Sequence, residues 1–394
     1  MRLRRCAILF LTPHERLDFQ LGSLASGGTG VASVIEWLAL APHLTTQLIL
    51  DVERIAALGD VSPVNWIDYE TLATKHRTAT LDALLADGLL LREHEDSDNA
   101  RRDANLRAMH WRALDAIAHR FSRWHDVDTI QAQRTFSEET DMDFLERLGP
   151  CPPPVRPPQS DARLTLPPAA TTPLDEVFKH RYTCRNYDTE RALPQAEFAA
   201  VLFRSFGARA VHEYAEGVVL LKKSAPSAGG LHPVGAFVLV RDVEDIAPGW
   251  YHYHPIEHAL EPLVDLRGRD VRALAAKCLG GQPYFSEAHA ICMLAGRFRR
   301  NFWKYRNHAK AYRSVVLDTG ALAQTLYLSA TELGLGAFIT AGVNELDIER
   351  ELDLDPMEEG VIAACGFGVK RAQRTEIEYD PPNGVWPTHG MDGG

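Results

Sequence analysis

Arg181, Thr183 and Arg185 stand at alternate positions in Arg181-Tyr182-Thr183-Cys184-Arg185-Asn186-Tyr187. In an extended chain such residues project to one side. Two guanidinium forks and a hydroxyl on one side suit a terminal phosphate, which carries about two negative charges. Taken alone, the trio also fits a solvated basic loop. Further along, Ser227, Ala228, Gly229 and Gly230 lie between Pro226 and Pro233. The prolines fix the backbone at two points, and the glycines permit positive φ. Lacking Cβ, the glycines also let a flat ligand lie against the main chain. Ala236 to Val240 then reads as a buried strand, so the loop is delivered onto the start of a core strand.

Pro226 to Pro233 resembles the Pro-Ser-Ala-Gly-Gly-Leu-Tyr-Pro signature of SagB-type dehydrogenases, members of the nitroreductase superfamily that act on ribosomally made peptides. His232 replaces the usual Tyr, and Gly235 stands where the family often has Glu. The basic stretch resembles the family's Arg-Arg-Ser-x-Arg-x-Phe/Tyr, with Arg181, Arg185 and Tyr187 kept, Tyr182 in place of Arg and Thr183 in place of Ser. The resemblance covers residues 172–372 and implies flavin mononucleotide (FMN) as cofactor. It places the phosphate at Arg181, Thr183 and Arg185, with Lys370 and Arg371 after the last strand as further cations. It implies that Ser227, Ala228, Gly229 and Gly230 hold the flavin and that the Ala341–Gly342 backbone lies near its reactive nitrogen. Gln282 matches a common Gly-Gln. The helix Ala311 to Leu333 is implied at a homodimer interface, where its small residues permit close approach.

The family's Lys-Tyr pair, implicated in proton removal from substrate, matches Lys304 and Tyr305. A nearby ammonium lowers a phenol pKa, so Tyr305 could act as a base assisted by Lys304. Adjacent helical residues point about 100° apart, so the two reach one ligand only from a loop or a helix end. The alternative is a surface basic cluster with Arg297, Arg299, Arg300 and Arg306.

The 394 residues suggest two or more domains, and a 45% apolar content is ample for real cores. A formal net charge of −11 disfavours nucleic acid or an anionic membrane surface as the main partner. The six cysteines include no Cys-x-x-Cys pair, which fits free thiols in a reducing cytosol. The first apolar run ends at Thr12-Pro13, too short for a signal peptide, and no run approaches a membrane span. His252, His254 and His258 cluster, but no spacing completes a tetrahedral metal site.

The elements that position these residues fall on either side of Pro150 to Pro168, which holds eight prolines and reads as an extended linker. Before it, Cys6 to Leu11 reads as a strand that Phe19 to Leu24 could join, and Val31 to Ala41 as either helix or strand. Helices are expected at Thr45 to Leu58, Tyr69 to Lys75 and Thr78 to Ala86, then a strand at Leu89 to Arg92. That order is winged-helix-like. Residues 1–150 hold 16 Lys and Arg against 23 Asp and Glu, so a peptide added along an edge fits better than DNA. Glu93 to Asp103 reads as a solvated loop, followed by helices at Ala104 to Trp124 and Phe136 to Leu148.

After the linker, helices are expected at Leu174 to His180, Gln195 to Phe206, Val271 to Leu279 and Ala311 to Leu333. Strands are expected at Val218 to Lys222, Ala236 to Val240, Gly249 to His254, His258 to Pro262, Ala290 to Gly296 and Val361 to Gly366. No Gly-x-Gly-x-x-Gly follows a strand, against a Rossmann fold. The expectation is therefore α+β: a nitroreductase-like FMN-binding sandwich at 171–394, a Pro-rich linker at 151–170, and a winged-helix-like α/β leader-peptide domain at 1–150. With the resemblance, the chain reads as a cytoplasmic, homodimeric FMN-dependent dehydrogenase. Its substrate would be a precursor peptide, oxidised from azoline to azole or at a related bond, beside other peptide-modifying enzymes. A nicotinamide-fed nitro or ene reductase and a flavin-free scaffold subunit are the alternatives.

Overall fold

The structure, a computed structural model, describes residues 1–131, 148–157, 163–167 and 171–380. The expected helix at Phe136 to Leu148 and much of the Pro-rich stretch lie outside the described residues. The chain divides into two compact units. The first joins residues 1–123 with 298–313 and 355–359; the second takes the described parts of 124–297, 314–354 and 360 onward.

The first unit contains two three-stranded sheets. One has the order β5-β1-β6, with β1 at Arg2–Arg5, β5 at Ile67–Asp68 and β6 at Leu90–Arg92. The other joins β2 (Phe10–Phe19), β3 (Val31–Leu40) and β4 (Leu48–Leu50). Helices α2 (Val52–Gly59), α3 (Tyr69–Ala73) and α4 (Thr78–Ala86) precede β6, the succession expected from the sequence. Leu3, Leu58, Leu72, Leu81 and Leu84 close this core.

Five local expectations are corrected, one of them the single helix at Ala104 to Trp124, which breaks at His110. Cys6 to Leu11 is not one strand, because β1 ends at Arg5 and β2 begins at Phe10. Phe19 to Leu24 does not pair as a strand; it contains the short helix α1, Leu21–Ala25. The helix expected from Thr45 begins at Val52, where the Asp51 carboxylate accepts from the Arg54 N–H as an N-cap. The charged stretch Glu93 to Asp103 is largely helical. Helix α5 (Asp98–Met109) starts at the cap Ser97, and His110 in the left-handed region separates it from α6 (Ala113–Phe121).

The units do not follow the linear boundary at residue 150. Residues 298–313 join the first unit because Trp111 packs on Phe298 and Phe302 with ring centroids 4.7 Å apart in each case, and on Tyr312 at 5.8 Å. Its indole N–H donates to the Met357 carbonyl at 3.0 Å.

In the second unit a six-stranded sheet has the order β11-β10-β9-β12-β14-β13. These are β9 (Val234–Val240), β10 (Gly249–His254), β11 (Ala259–Asp265), β12 (Ala290–Arg297), β13 (Gly336–Thr340) and β14 (Glu359–Gly368). Near-continuous apolar runs in β9, β12 and β14 account for their burial. The hairpin β7 (Ala210–Ala215) and β8 (Val218–Lys222) stands apart from this sheet. The helices of this unit are α7 (Pro173–His180), α8 (Gln195–Phe206), α9 (Val271–Cys278), α10 (Pro283–Ser286), most of the long α12 (Ala311–Glu332) and α13 (Glu345–Glu351), while α11 (Phe298–Lys304) belongs to the first unit. Among the described residues no helix is long and apolar enough to cross a membrane.

Candidate functional site

The stretch Arg181 to Tyr187 is extended and edged onto the end of the sheet. Thr183 bridges Ala337, Cys184 N–H donates to Ala337 O at 2.9 Å, and Tyr187 bridges Lys370. Burial alternates as the spacing requires: Tyr182, Cys184 and Asn186 are buried, whereas Arg181, Thr183 and Arg185 remain partly open. Glycine at 336 makes this approach possible. A Cβ there would stand 2.4 Å from Cys184 Sγ.

Each polar residue of the trio has a neighbour that fixes it. Thr183 Oγ1 lies 2.9 Å from the Tyr327 hydroxyl, and the Arg181 guanidinium sits 5.3 Å from that ring's centroid. Tyr327 also accepts from the Ile339 N–H at 3.2 Å, and burial raises its pKa. Arg185 lies over Tyr284 and Phe285, 5.6 and 5.9 Å from the ring centroids. Lys370 is placed opposite Tyr187, and Arg371 N–H donates to Asn186 O at 3.0 Å. Arg181, Thr183 and Arg185 therefore share one side of this strand, whereas the Lys370 ammonium lies 5.7 Å from the ring centroid of buried Tyr182 and the Arg371 guanidinium turns to Thr189 Oγ1 at 3.3 Å and to Glu287 at 3.8 Å.

The Ser-Ala-Gly-Gly loop is a short 3-10 turn, Ala228–Gly230, preceded by Ser227 in extended conformation. Gly229 and Gly230 have φ of 61° and 68°. A Cβ on Gly230 would meet nothing within 4 Å, so the main chain is open on that side. The loop is tied to α12. Ser227 Oγ donates to Asp318, and Ala228 N–H donates to Asp318 Oδ1 at 3.2 Å. Ser227 Oγ also accepts from His232 N–H at 2.9 Å, with His232 itself in the left-handed region. Burial raises the pKa of Asp318, and the two donors pull it back.

The Ala341–Gly342 turn is held by Gln282. Its amide nitrogen donates to Gly342 O at 2.9 Å and to Leu279 O at 2.7 Å. Thr340 Oγ1 accepts from Gly342 N–H at 3.0 Å. The segment at 124–129 runs alongside. Val127 N–H donates to Asn344 Oδ1, and Thr129 N–H to Gly280 O, both at 2.9 Å.

Lys304 is the last residue of α11 and Tyr305 follows it, so the basic stretch Arg297 to Lys310 is partly helical rather than a loop. The Lys304 ammonium lies 5.6 Å from the Tyr305 ring centroid. Lys304 is exposed and Tyr305 half-buried. Both belong to the first unit, whereas every candidate cofactor residue belongs to the second.

Sequence reasoning missed four residues around these candidates. Asp318 and Tyr327 appear in the sequence as ordinary helix positions, and only packing reveals what each holds. Glu378 and Asp380 are fully buried carboxylates in a segment that composition marks as solvated. Among the described residues no group of three or more His, Cys, Asp and Glu could hold a metal ion.

Half-open guanidinium groups beside a hydroxyl, with a bare glycine turn elsewhere on the same unit, fit a ligand bearing a terminal phosphate and a flat ring. Residues 178–369 match the model of the Nitroreductase family. The fold is nitroreductase-like. A protein of Methanocaldococcus jannaschii that carries a nitroreductase name is 28% identical over 191 residues, 48% of this chain and 89% of its own length. The trifolitoxin-processing protein TfxB of Rhizobium leguminosarum bv. trifolii is 32% identical over 39% of this chain and 41% of its length. The microcin B17-processing protein McbC of Escherichia coli is 28% identical over 38% of this chain and 54% of its length. The chain thus spans about half or less of the two peptide-processing relatives. Among solved structures, a chain of the E. coli microcin synthetase McbBCD complex with truncated pro-MccB17 bound matches with a TM-score of 0.50 at 20% identity. That match covers 71% of this chain and 100% of the other.

Proposed function

We propose that the chain is an FMN-dependent dehydrogenase of the SagB type that oxidises a ribosomally made peptide, from azoline to azole or at a related bond. The observation that carries this reading is the alternating strand at Arg181 to Tyr187. It presents Arg181, Thr183 and Arg185 on one side, two of them guanidinium forks and one a hydroxyl. This donor set suits a phosphate monoester. The open face of Gly230 suits a ring laid against main chain. Likeness to TfxB and McbC, both named for peptide processing, supports a peptide as substrate.

When bound, the flavin would supply hydride acceptance. The chain would supply everything else. Arg181, Thr183 and Arg185 hold the phosphate, Ser227 to Gly230 and the Ala341–Gly342 turn support the ring, and Lys304 with Tyr305 removes a proton from the substrate carbon. A homodimer with each flavin touched by both copies, and a leader-peptide site in the first unit, complete the reading. Free thiols support a cytoplasmic setting, since all six cysteines are unpaired.

A second reading, a nitro or ene reductase fed by a nicotinamide cofactor, is favoured by the extent of the M. jannaschii match. Absorbance of the purified protein, then turnover with peptide against turnover with NAD(P)H and a nitroarene, separates the two. Flavin bands with peptide oxidation support the first reading. Flavin bands with only nitro reduction support the second, and colourless protein that cannot be reconstituted with FMN overturns both.

A further inference from the structure

We propose that the segment Arg374 to Asp380 is a latch that holds the phosphate strand in its binding geometry, with Glu378 as its positioning residue. The proposal rests on reading Arg181, Thr183 and Arg185 as phosphate ligands.

The latch grips the strand from its buried side. The Glu378 side chain is 1% exposed, and its Oε1 accepts the N–H groups of Arg185 at 2.6 Å and Asn186 at 3.0 Å. Asn186, also buried, answers in the other direction. Its Oδ1 accepts from Thr375 N–H at 2.7 Å and Glu376 N–H at 2.8 Å, and its Nδ2 donates to Glu376 O at 2.9 Å. Arg374 links two carboxylates, Glu378 at 3.4 Å and Asp380 at 2.8 Å. Its guanidinium lies 5.5 Å from the Tyr182 ring centroid, and the Lys370 ammonium lies 5.7 Å from the same ring.

Two physical consequences follow. The first is geometric. Tyr182, Cys184 and Asn186 face the latch side, so fixing the amides of 185 and 186 fixes which way Arg185 and Thr183 project. Buried N–H groups without partners are costly, so the strand loses this conformation when Glu378 cannot accept. The second is electrostatic. Arg374, 3.4 Å from Glu378 and 2.8 Å from Asp380, pairs the latch carboxylates, so they stand behind the strand as matched charges and the partly open cations Arg181 and Arg185 are left to the phosphate.

Glu378→Ala and Glu378→Gln in the full chain separate these roles, because glutamine keeps an Oε1 acceptor for both amides and loses only the charge. The measurements are the Kd for FMN by fluorescence quenching, hydrogen exchange at the amides of 185 and 186, and the melting point of flavin-free protein. Glu378→Ala is expected to raise Kd about tenfold or more and to speed exchange at both amides, with a lower melting point because two buried amides lose their acceptor, and with a larger rise in Kd than other variants of equal melting point. Glu378→Gln is expected to stay within about threefold of wild type. Thr375→Pro, which removes the N–H and the hydroxyl that donate to Asn186 Oδ1 and leaves Glu378 in place, serves as the milder variant if Glu378→Ala does not fold, and should weaken FMN in the same direction. Unchanged Kd and exchange in Glu378→Ala overturn the latch. So does loss of FMN that only tracks loss of melting point across the variants. If wild type binds no FMN, the phosphate reading fails. Fast exchange at 185 and 186 in the alanine variant alone would still support the latch as the device that sets the strand.

Discussion

Asp318 and Tyr327 mark the two borders of the buried face of helix α12. They are nine residues apart, which at 100° per residue places them about half a turn out of phase. Asp318 holds Ser227 and Ala228, and Tyr327 holds Thr183 and the start of Ile339. The glycine loop and the strand Arg181 to Tyr187 are therefore anchored to opposite sides of one helix. The face outside the buried one carries Leu317, Gly320 and Gln324, all exposed. A single ligand meets both halves most simply when a second copy packs on that face and supplies one of them.

Light scattering should accordingly show a dimer. Leu317, 67% exposed, is the residue to charge. Leu317→Asp is expected to yield a monomer with reduced flavin occupancy and a preserved melting point. A monomeric wild type with full flavin occupancy sinks the shared-site reading.

Purified protein should be yellow and should release FMN rather than FAD on denaturation. Arg181→Ala and Arg185→Ala each remove charge-assisted contacts of about 1.5–3 kcal/mol, so each should raise Kd for FMN by roughly ten- to a hundredfold. Titration of stripped protein with FMN checks this. Equal affinity in both variants would move the phosphate elsewhere.

The first unit is expected to bind the precursor peptide rather than DNA. Strand β3 pairs with β2 over residues 31–40 but with β4 only over 37–39, which leaves a stretch of edge for an added strand. Ile35 on that stretch is 60% exposed. Ile35→Lys should weaken binding of a fluorescent precursor peptide while FMN binding stays normal. Removing the whole of residues 1–150 is a poor test, because it strips Trp111 from Phe298, Phe302 and Tyr312. Tight, salt-sensitive retention of duplex DNA would count against a peptide site.

Local periodicity made part of this legible. The alternation at Arg181 to Tyr187 and the apolar runs of β9, β12 and β14 follow from side-chain spacing alone. What stayed hidden depends on partners distant in sequence. Asp98 to Asp103 looks like a solvated charge run, yet the Asp103 carboxylate is buried, accepts from Arg107 Nε at 2.7 Å, and accepts from the backbone N–H of Ala7. Arg374 to Asp380 has the same composition and the same hidden role, because a buried carboxylate is recognisable only once its donors are in place. The assignment of residues 298–313 to the first unit rests on aromatic contacts nearly two hundred positions away in sequence.

Acid should destabilise the protein below about pH 6.5. His119 is buried against Trp111 and Tyr312, and burial, reinforced by Arg123 and Arg120, holds its pKa well below the usual 6.5. Buried His43 and His289 shift the same way for the same first cause. The unfolded chain takes up these protons near pH 6.5 and the folded one does not. The stabilisation is therefore complete above pH 6.5 and is lost as pH falls toward the folded values, at up to about 1.4 kcal/mol per pH unit for each group. Urea unfolding at pH 7.5, 6.5 and 5.5 reads this slope, and His119→Gln should flatten it. A pH-independent midpoint would show that these imidazoles are protonated in place.

Lys304→Ala and Tyr305→Phe should sharply reduce peptide oxidation while leaving FMN binding near normal. The candidate cofactor residues all lie in the second unit and the pair lies in the first, so occupancy and proton removal should respond to different substitutions. The geometry permits a shared target. Lys304 is the last residue of α11 and the Tyr305 N–H still donates to Asn301 O at 3.1 Å, so the pair stands at the helix end, the one helical position from which both could reach a common target. The ammonium stands 5.6 Å from the phenol ring centroid, so the two side chains are neighbours. Loss of a general base typically costs about 10²–10⁴-fold in rate, whereas loss of a surface cation costs little. The double variant should cost about as much as the worse single one if the pair acts as a unit. The decisive measurement is the rate at saturating peptide with flavin occupancy recorded on the same samples. If both single variants keep most of the wild-type rate, Lys304 and Tyr305 are a surface pair. His232, held in the left-handed region beside Ser227, is then the next residue to replace.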